Sequence, residues 1–323
     1  MPKGVKVQVL SSPPKFDYMK IPRRRERLTG GGNPENESPH SPRELAVAWA
    51  AVEISRQTTR LQTLDVVEAL IDLDDWVEIH GDRDRADDLA IVAGIGKFGG
   101  RTVAIAGHQK GHDAKEAGRR NGGMAGPSGY KKAMRLMGIA DRFGFPFITL
   151  VDTEGAFPGR RAEEEGQGGT IARSQRTMLR LGVPTVATIL SRGGSGGAVA
   201  LAAADRVYMM ERAHYTVISP EGGAAILWKN AAIRDEKKLM ETYKREMALV
   251  SKGDAKTLLE LGVIDGIVPE PMTGPGYDRN AAAQSLGAVL EGAITELSGL
   301  SPADRNRLRR SKFRALGANA LSG

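Results

Sequence analysis

The chain has no cysteine, and only 5% of its 323 residues are aromatic. The missing cysteine excludes disulfides, thiolate zinc sites and cysteine nucleophiles, and it fits a reducing cytoplasm. No apolar run approaches the roughly 20 residues that a membrane helix needs. The opening residues, MPKGVKVQVL, also lack the apolar core of a secretory signal. We therefore expect a cytoplasmic protein that does not enter a membrane.

Basic residues are in excess, with a formal net charge of +7. Much of the excess lies near the two ends, in residues 20–27 (KIPRRRER) and 305–314 (RNRLRRSKFR). Nucleic-acid binding is disfavoured because these stretches do not alternate with aromatic residues for base stacking. We interpret them as solvated tails or as contacts to an acidic partner. A basic patch would also suit the phosphates of a CoA ligand.

Four segments follow from composition and periodicity. Residues 1–42 are rich in Pro, Gly, Asn and Ser, which predicts a disordered basic tail. Residues 43–75 contain two helical patterns, the first with Ser41 as N-cap and Pro42 at the first helical position. Residues 76–300 form the main domain, and residues 301–323 a basic C-terminal tail.

The main domain shows a repeated order of strands and helices. It begins with two strands, at 89–94 and 101–107, joined by a turn at 97–100. Later strands read as continuous apolar runs, as buried parallel strands do. The pattern predicts helices at 130–142, 169–180, 195–204 and 278–297, and strands at 145–151, 183–190, 206–210 and 215–218, with a turn at 219–222. The loops of such repeats meet at one sheet edge, where ligands bind.

The strongest local motif is RGGSGGA at residues 192–198, between a predicted strand and a predicted helix. Without side chains on the glycines, the amides that begin the helix face outward at the positive end of its dipole. Such amides suit a developing oxyanion, for example a thioester enolate or the ureido oxygen of biotin. The alternative is a tight turn that only allows close packing.

Three other motifs have weaker functional interpretations. GIGKFG at 94–99 matches a dinucleotide fingerprint, but it lies in a hairpin instead of before a helix. His108 and His112 have metal-like spacing, although Gly111 between them breaks a helix. Ser195 lies in a G-x-S-x-G elbow and would need His214 or His108 as a base to act as a hydrolase nucleophile.

Two further groups could take part in binding or catalysis. Asp152 and Glu154 follow a predicted strand and are candidates for acid/base groups or for helix caps. A basic cluster is a candidate grip for phosphates or a carboxylate, and otherwise a solvated face. Its members are Lys110, Lys115, Arg119 and Arg120.

Seven short sequence blocks, some of which contain the motifs above, together resemble one family. The blocks are GHQKG at 107–111, RRNGGM at 119–124, GYKKAMRLM at 129–137, DTEGAFPG at 152–159, AEEEGQ at 162–167, GGSGGA at 193–198 and SPEGGAAILWK at 219–229. In order and spacing they are similar to the carboxyltransferase alpha subunits of bacterial acetyl-CoA carboxylase. HGDRDRADDLAIVAGIG at 80–96 and LGVIDGIVPEP at 261–271 extend the resemblance to roughly residues 63–297.

The resemblance implies an α/β crotonase-like fold, a superhelix of repeated ββα units with flanking helices. It implies transfer of a carboxyl group from carboxybiotin on a carrier protein to acetyl-CoA, giving malonyl-CoA for fatty acid synthesis. The implied partners are a beta subunit in an α2β2 assembly, the biotin carboxyl carrier protein and biotin carboxylase. No metal is expected in this subunit.

The resemblance also assigns residues to the site. The amides of Gly196 and Gly197 would form the oxyanion hole for the ureido oxygen. The residues expected to bind biotin or substrate are Gly193, Gly194, Gly155, Ala156, Phe157, Lys110 and Gly111.

The sequence departs from the family pattern beside this site. Glu154 stands where the family has Pro, Phe157 where it has Tyr, and Gly168–Gly169 where it has Ser-Glu, while Arg160 and Arg161 replace small residues. These departures leave open another acyl-CoA substrate or a paralogue with reduced activity. A biotin-independent crotonase-like enzyme, a Clp-like serine protease and a nucleic-acid-binding protein remain further alternatives.

Overall fold

The computed structural model describes residues 40–229, 237–271 and 276–317. The predicted tail at 1–42 lies outside these residues except for its last three. Within the described residues there are twelve α-helices. They are α1 (Pro42–Ser55), α2 (Thr63–Leu70), α3 (Ala114–Arg119), α4 (Pro127–Phe143), α5 (Arg160–Glu164), α6 (Gln167–Met178), α7 (Ser195–Val199), α8 (Pro220–Leu227), α9 (Lys237–Val250), α10 (Ala255–Glu260), α11 (Arg279–Ser298) and α12 (Pro302–Ala315).

The described strands form one mixed sheet. They are β1 (Val77–Glu78), β2 (Ile91–Phe98), β3 (Arg101–His108), β4 (Phe147–Thr153), β5 (Thr185–Gly194), β6 (Arg206–Met210), β7 (His214–Thr216) and β8 (Gly266–Val268). The order across the sheet is β1-β2-β3-β4-β5-β6-β8, and β7 pairs with the end of β5. The pairs β1–β2 and β2–β3 are antiparallel, and all later pairs are parallel. The carboxyl ends of β3, β4 and β5 therefore lie at one edge.

The two central strands are fully buried, which explains their continuous apolar sequence. Every residue of β4 and of β5 is buried. Helix α4 ends at Gly144, whose φ of 76° is a left-handed cap that glycine adopts without strain. Chain reversal at Gly144 delivers the next strand parallel to β3, as the repeated pattern predicts.

The N-terminal prediction for α1 is confirmed in detail. Ser41 accepts the backbone N–H of Glu44, Glu44 accepts the Ser41 N–H, and Pro42 begins the helix. The GIGKFG motif lies on β2 and its turn into β3, so the predicted hairpin is confirmed and no helix follows the motif.

Two sequence expectations are wrong in part. The turn predicted at 219–222 is the first turn of α8, because Ser219 caps Pro220 at the first helical position. The predicted helix at 195–204 ends at Val199.

The basic stretch 305–314 is not simply solvated, since it belongs to the docked helix α12. Arg309 is 1% exposed and forms two hydrogen bonds of 2.8 Å to the buried carboxylate of Asp205. The Nη1 group of Arg309 also donates to the backbone carbonyls of Met178 and Leu181. A charge-rich sequence here supplies buried ion pairs and helix-end carbonyl contacts instead of a free tail.

Candidate functional site

Two loops meet at the carboxyl edge of the sheet. The 153–159 loop follows β4, and the 193–197 elbow joins β5 to α7. Thr153 pairs with Gly193 across a register shift that follows Val151. The loops are thus joined at their bases and diverge from there toward solvent.

Close packing of the two loops requires glycine. A Cβ on Gly197 would lie 2.6 Å from the carbonyl carbon of Gly155 and 2.7 Å from the nitrogen of Ala156. A Cβ on Gly193 would lie 2.6 Å from the ring of Tyr215, and one on Gly194 would overlap the Glu154 carbonyl. The packing interpretation of the GGSGG motif is therefore confirmed, and it does not conflict with a role for the amides.

The elbow presents backbone amides to solvent. Ser195, Gly196 and Gly197 form the first turn of α7, whose N–H groups have no partner within the helix, and no side chain caps the turn. Ser195 is exposed, Gly196 is half-buried and Gly197 is buried, so the turn is open at Ser195 and Gly196. Ser195 has a φ of 46°, a left-handed conformation that costs a non-glycine residue energy. The arrangement can bind an oxyanion.

The 153–159 loop is held from both sides. The Thr153 hydroxyl donates to the Gly155 carbonyl at 2.6 Å and accepts the Gly155 N–H at 3.1 Å. The Phe157 N–H donates to the Ala125 carbonyl at 2.9 Å. Gln167, the last residue of AEEEGQ, donates to the same carbonyl at 2.9 Å. Gly155 and Ala156 thus lie against the elbow, while the amides of Gly155 and Phe157 already have acceptors. The predicted contacts of Gly155, Ala156 and Phe157 with biotin or substrate stay predictions.

Lys110 reaches the base of the loops as an ion-pair partner. Its Nζ lies 2.9 Å from Asp152 Oδ1, and the Asp152 side chain is fully buried. Burial raises the pKa of Asp152, and the charge of Lys110 opposes that shift. The same oxygen accepts the Arg192 N–H at 3.0 Å. Asp152 therefore links β4 to the approach of the elbow, which disfavours an acid/base role.

Gly111 is bound by the Gln62 side chain through both of its backbone polar groups. Its N–H donates to Gln62 Oε1 at 2.8 Å, and its carbonyl accepts from Gln62 Nε2 at 3.0 Å. With a φ of 96° and no space beside Ala117, this position requires glycine for structural reasons. Its predicted contact with biotin or substrate stays a prediction.

The hypothesis that His108 and His112 bind a metal finds no support in the described contacts. His112 lies 3.0 Å from Asp65 and 2.8 Å from Arg279, and His108 is buried at the end of β3 beside Tyr130. No group of His, Asp and Glu in the described part of the chain has metal-binding geometry.

The hydrolase hypothesis fails on geometry. Among the described residues, no hydrogen bond joins the Ser195 hydroxyl to a histidine. His214 contacts Arg192 instead, at 3.4 Å, and burial together with that cation lowers its pKa to about 4. A base this weak would serve a serine nucleophile poorly.

The basic cluster does not act as one patch. Lys110 points to Asp152, and Arg120 pairs with Glu116 at 2.8 Å, while Lys115 and Arg119 are exposed. A single grip made by all four side chains is therefore wrong.

Sequence reasoning missed four residues that hold the site together, Arg56, Gln62, Gln167 and Arg192. Arg192 is 2% exposed and pairs with Glu154 through Nη2 at 2.6 Å. A charged residue at the end of the apolar run TVATILSRGG was the available signal for Arg192. Gln167 lies in the AEEEGQ block, which belongs to the family resemblance, whereas nothing in the local sequence singles out Arg56 or Gln62.

No helix in the described residues is long and apolar enough to cross a membrane.

Comparisons with known proteins agree on one family. Residues 40–317 match the family model described as acetyl co-enzyme A carboxylase carboxyltransferase-like. The acetyl-coenzyme A carboxylase carboxyl transferase subunit alpha of Thermus thermophilus is 50% identical over 277 residues, covering 86% of this chain and 84% of that protein. A Parafrankia protein named as subunits beta/alpha of the same transferase is 46% identical over 275 residues, covering 85% of this chain. This chain spans only 43% of that longer protein.

Among solved structures, transcarboxylase 12S with hydrolysed methylmalonyl-coenzyme A is similar, with a TM-score of 0.58 and 21% identity. The match covers 76% of this chain and 45% of the transcarboxylase chain. The likeness confirms the predicted crotonase-like fold.

Proposed function

The chain belongs to the family of acetyl-CoA carboxylase carboxyltransferase alpha subunits, and from this premise we propose that it supplies one half of a carboxyltransferase active site. With a beta subunit, it transfers a carboxyl group from carboxybiotin to acetyl-CoA and so forms malonyl-CoA. The beta subunit supplies the other half, in an α2β2 assembly. The Parafrankia relative supports this pairing because its name joins beta and alpha in one chain.

The observation that carries the proposal is the open first turn of α7. Gly196 and Gly197 lie in this uncapped turn, with Gly196 half-buried and Gly197 buried against the 153–159 loop, with which a side chain on Gly197 would collide. Such a cradle fits the ureido oxygen of biotin, since it offers N–H donors without steric hindrance. Bound carboxybiotin would supply the carboxyl group. The residues of this chain would bind and orient it and stabilise negative charge on that oxygen.

Other predicted contacts fit the same role. Gly193, Gly194, Gly155 and Ala156 shape the cradle, Phe157 follows them in the 153–159 loop, and Lys110 holds the base of the cradle through Asp152. The biotin carboxyl carrier protein would deliver the biotin, and biotin carboxylase would recharge it. These two partners and a cytoplasmic location remain predictions.

The test is the reverse reaction of the complete enzyme. This chain is co-expressed with the beta subunit from its own genome, and malonyl-CoA-dependent carboxylation of biocytin is measured. Activity should require both chains. Gly197→Val keeps the backbone N–H, but its side chain would push the elbow away from the 153–159 loop and so misplace the amides. We expect kcat to fall by about 100- to 1,000-fold, as much as the loss of one oxyanion donor usually costs.

Gly138→Ala is the matched control. Gly138 is exposed on α4, and a Cβ there meets nothing within 4 Å, so activity should stay at the wild-type level. A well-formed two-chain complex without activity on malonyl-CoA would refute the acetyl-CoA assignment. Activity on another acyl-CoA would then identify the substrate, and turnover of an acyl-CoA without biocytin would indicate a biotin-independent enzyme.

A further inference from the structure

Arg192 is a buried cation with one close anionic partner. Its side chain is 2% exposed, and Nη2 lies 2.6 Å from Glu154 Oε2. Its other side-chain contacts are weak, at 3.5 Å to the Ser55 hydroxyl and 3.4 Å to His214, and Nε has no partner among the described residues. In the described chain, Glu154 is the only carboxylate within ion-pair distance of this guanidinium. Glu154 is therefore the direct partner that neutralises Arg192, and Glu221 acts on the same charge from a greater distance.

The pair joins the two halves of the candidate site directly. Glu154 immediately precedes Gly155 in the 153–159 loop, and Arg192 immediately precedes Gly193 in the 193–197 elbow. Three residues after Arg192, Ser195 adopts its left-handed conformation, which only firm anchoring of the flanking chain can maintain. The ion pair thus lies where a small shift would move the elbow amides relative to Ala156.

Both carboxylate oxygens of Glu154 face cations. Oε2 pairs with Arg192, and Oε1 lies 4.0 Å from Arg56 Nε. Arg56 is itself held by two hydrogen bonds to Glu221, at 2.7 and 2.9 Å. This arrangement fixes the carboxylate and leaves it poorly placed to accept a proton from substrate, which argues against the acid/base alternative.

We propose that Glu154 is a positioning residue, whose ion pair with buried Arg192 holds the 153–159 loop against the 193–197 elbow and so keeps the elbow amides aligned. The role in catalysis rests on the proposed function, whereas the role in loop position does not. On this account, the departure at residue 154 supports the site in this chain instead of disabling it.

Amide hydrogen exchange of the two-chain complex tests the loop role without any activity. Glu154→Gln keeps the shape of the side chain and removes its charge. Exchange in peptides covering 153–159 and 192–199 should become at least about tenfold faster, because local opening no longer breaks an ion pair. Glu164→Gln is the matched control. Glu164 lies on α5, directly after the 153–159 loop, and forms an exposed ion pair with Arg160 of the same helix. It should leave both peptides unchanged.

Unchanged exchange in both peptides of Glu154→Gln would overturn the proposal. Equal acceleration across the whole chain would also overturn it, since it would indicate general destabilisation. If Glu154→Gln does not fold, Glu154→Asp takes its place, because the shorter side chain keeps the charge but withdraws it from Arg192. The same two peptides should then respond, to a smaller degree.

Kinetics test the consequence for catalysis. If the wild-type complex carboxylates biocytin, Glu154→Gln should lower kcat by about 10- to 100-fold, the usual effect of a misplaced catalytic group. KM for malonyl-CoA should change less than about twofold, because the substitution affects stabilisation of the transition state and leaves binding of the substrate unchanged.

The swapped pair, Glu154→Arg with Arg192→Glu, should recover part of the loss seen in each single variant. Two single losses that simply add would contradict an ion-pair role. An inactive wild type with responsive peptides would refute the proposed function and leave the positioning role intact.

Discussion

Asp152 and Glu154 lie two residues apart at the end of β4, and each pairs with a cation from a neighbouring strand end. The Asp152 side chain is fully buried against Lys110, whereas that of Glu154 is 37% exposed beside Arg192. In the first pair the carboxylate is the more buried partner, and in the second it is the cation. The Lys110–Asp152 ion pair thus lies at the base of the two loops, and the Arg192–Glu154 ion pair lies at their open edge. The comparison shows that the burial of each partner determines how much an ion pair contributes to the free energy of unfolding.

The largest expected effect comes from breaking the ion pair of Lys110 and Asp152, the inner pair. Lys110→Met leaves the Asp152 carboxylate buried without its cation, which should lower the free energy of unfolding by about 3–5 kcal/mol. The loss should be smaller at pH 5 than at pH 8, because a buried carboxyl without a cation has a raised pKa and stays protonated at low pH. Urea unfolding at both pH values measures it. Exposed Lys115→Met is the control, and a loss below about 1 kcal/mol would show that the inner pair is not structural.

A second effect concerns the histidine beside each cation. Burial lowers the pKa of His108 to about 3, and burial with Arg192 lowers that of His214 to about 4. Both values lie below the unfolded value of about 6.5, so the folded state binds fewer protons. Stability is therefore fully present above pH 6.5 and is lost as pH falls toward the folded values. Each histidine contributes up to about 1.4 kcal/mol per pH unit between 6.5 and 5.

Urea unfolding at four pH values in that window measures the slope, and His214→Asn should roughly halve it. His112 acts in the opposite direction near pH 6.5, because Asp65 raises its pKa and the folded state there binds more protons at this residue than the unfolded chain does. Its influence on the slope fades toward pH 5, where the unfolded chain is protonated at this residue as well. A profile with no slope between pH 6.5 and 5 would contradict the burial of both rings.

The ion pair of Arg56 and Glu221, which lies beside Glu154, should contribute less to the free energy of unfolding. Arg56 and Glu221 are each about one-third exposed, so Arg56→Gln should cost about 0.5–1 kcal/mol, reduced at high salt. Thermal unfolding at 0.05 and 1 M NaCl measures this. A loss that does not depend on salt would indicate packing of the Arg56 side chain instead of its charge.

The smallest effect is expected at Arg160, one of the departures from the family pattern. Its side chain is 92% exposed, and among the described residues it pairs only with Glu164 of the same helix. Arg160→Gln should change neither Tm nor biocytin carboxylation measurably, because exposed pairs of this kind contribute little. A fall in activity with unchanged Tm would instead place Arg160 on a partner or carrier contact.

Much of the fold was predictable because local patterns and packing agree. The strand at 206–210 and the hairpin of β2 and β3 follow from apolar runs bounded by turn residues. Helix α12 was missed because its charges suggested a solvated stretch, and only docking against Asp205 shows that Arg309 is buried. Helix α8 was missed because Ser-Pro-Glu-Gly-Gly resembles a turn, although Ser-Pro also begins helices.

The sequence by itself determined the elbow, since closely spaced glycines before a helix leave few other uses for the backbone, and it determined the family through blocks in register. Only the tertiary structure decided which charges meet. Lys110 and Asp152 are 42 residues apart, and Glu154 and Arg192 are 38 apart. Pairing at such distances depends on how three parallel strands align their carboxyl ends, and no local propensity encodes that alignment.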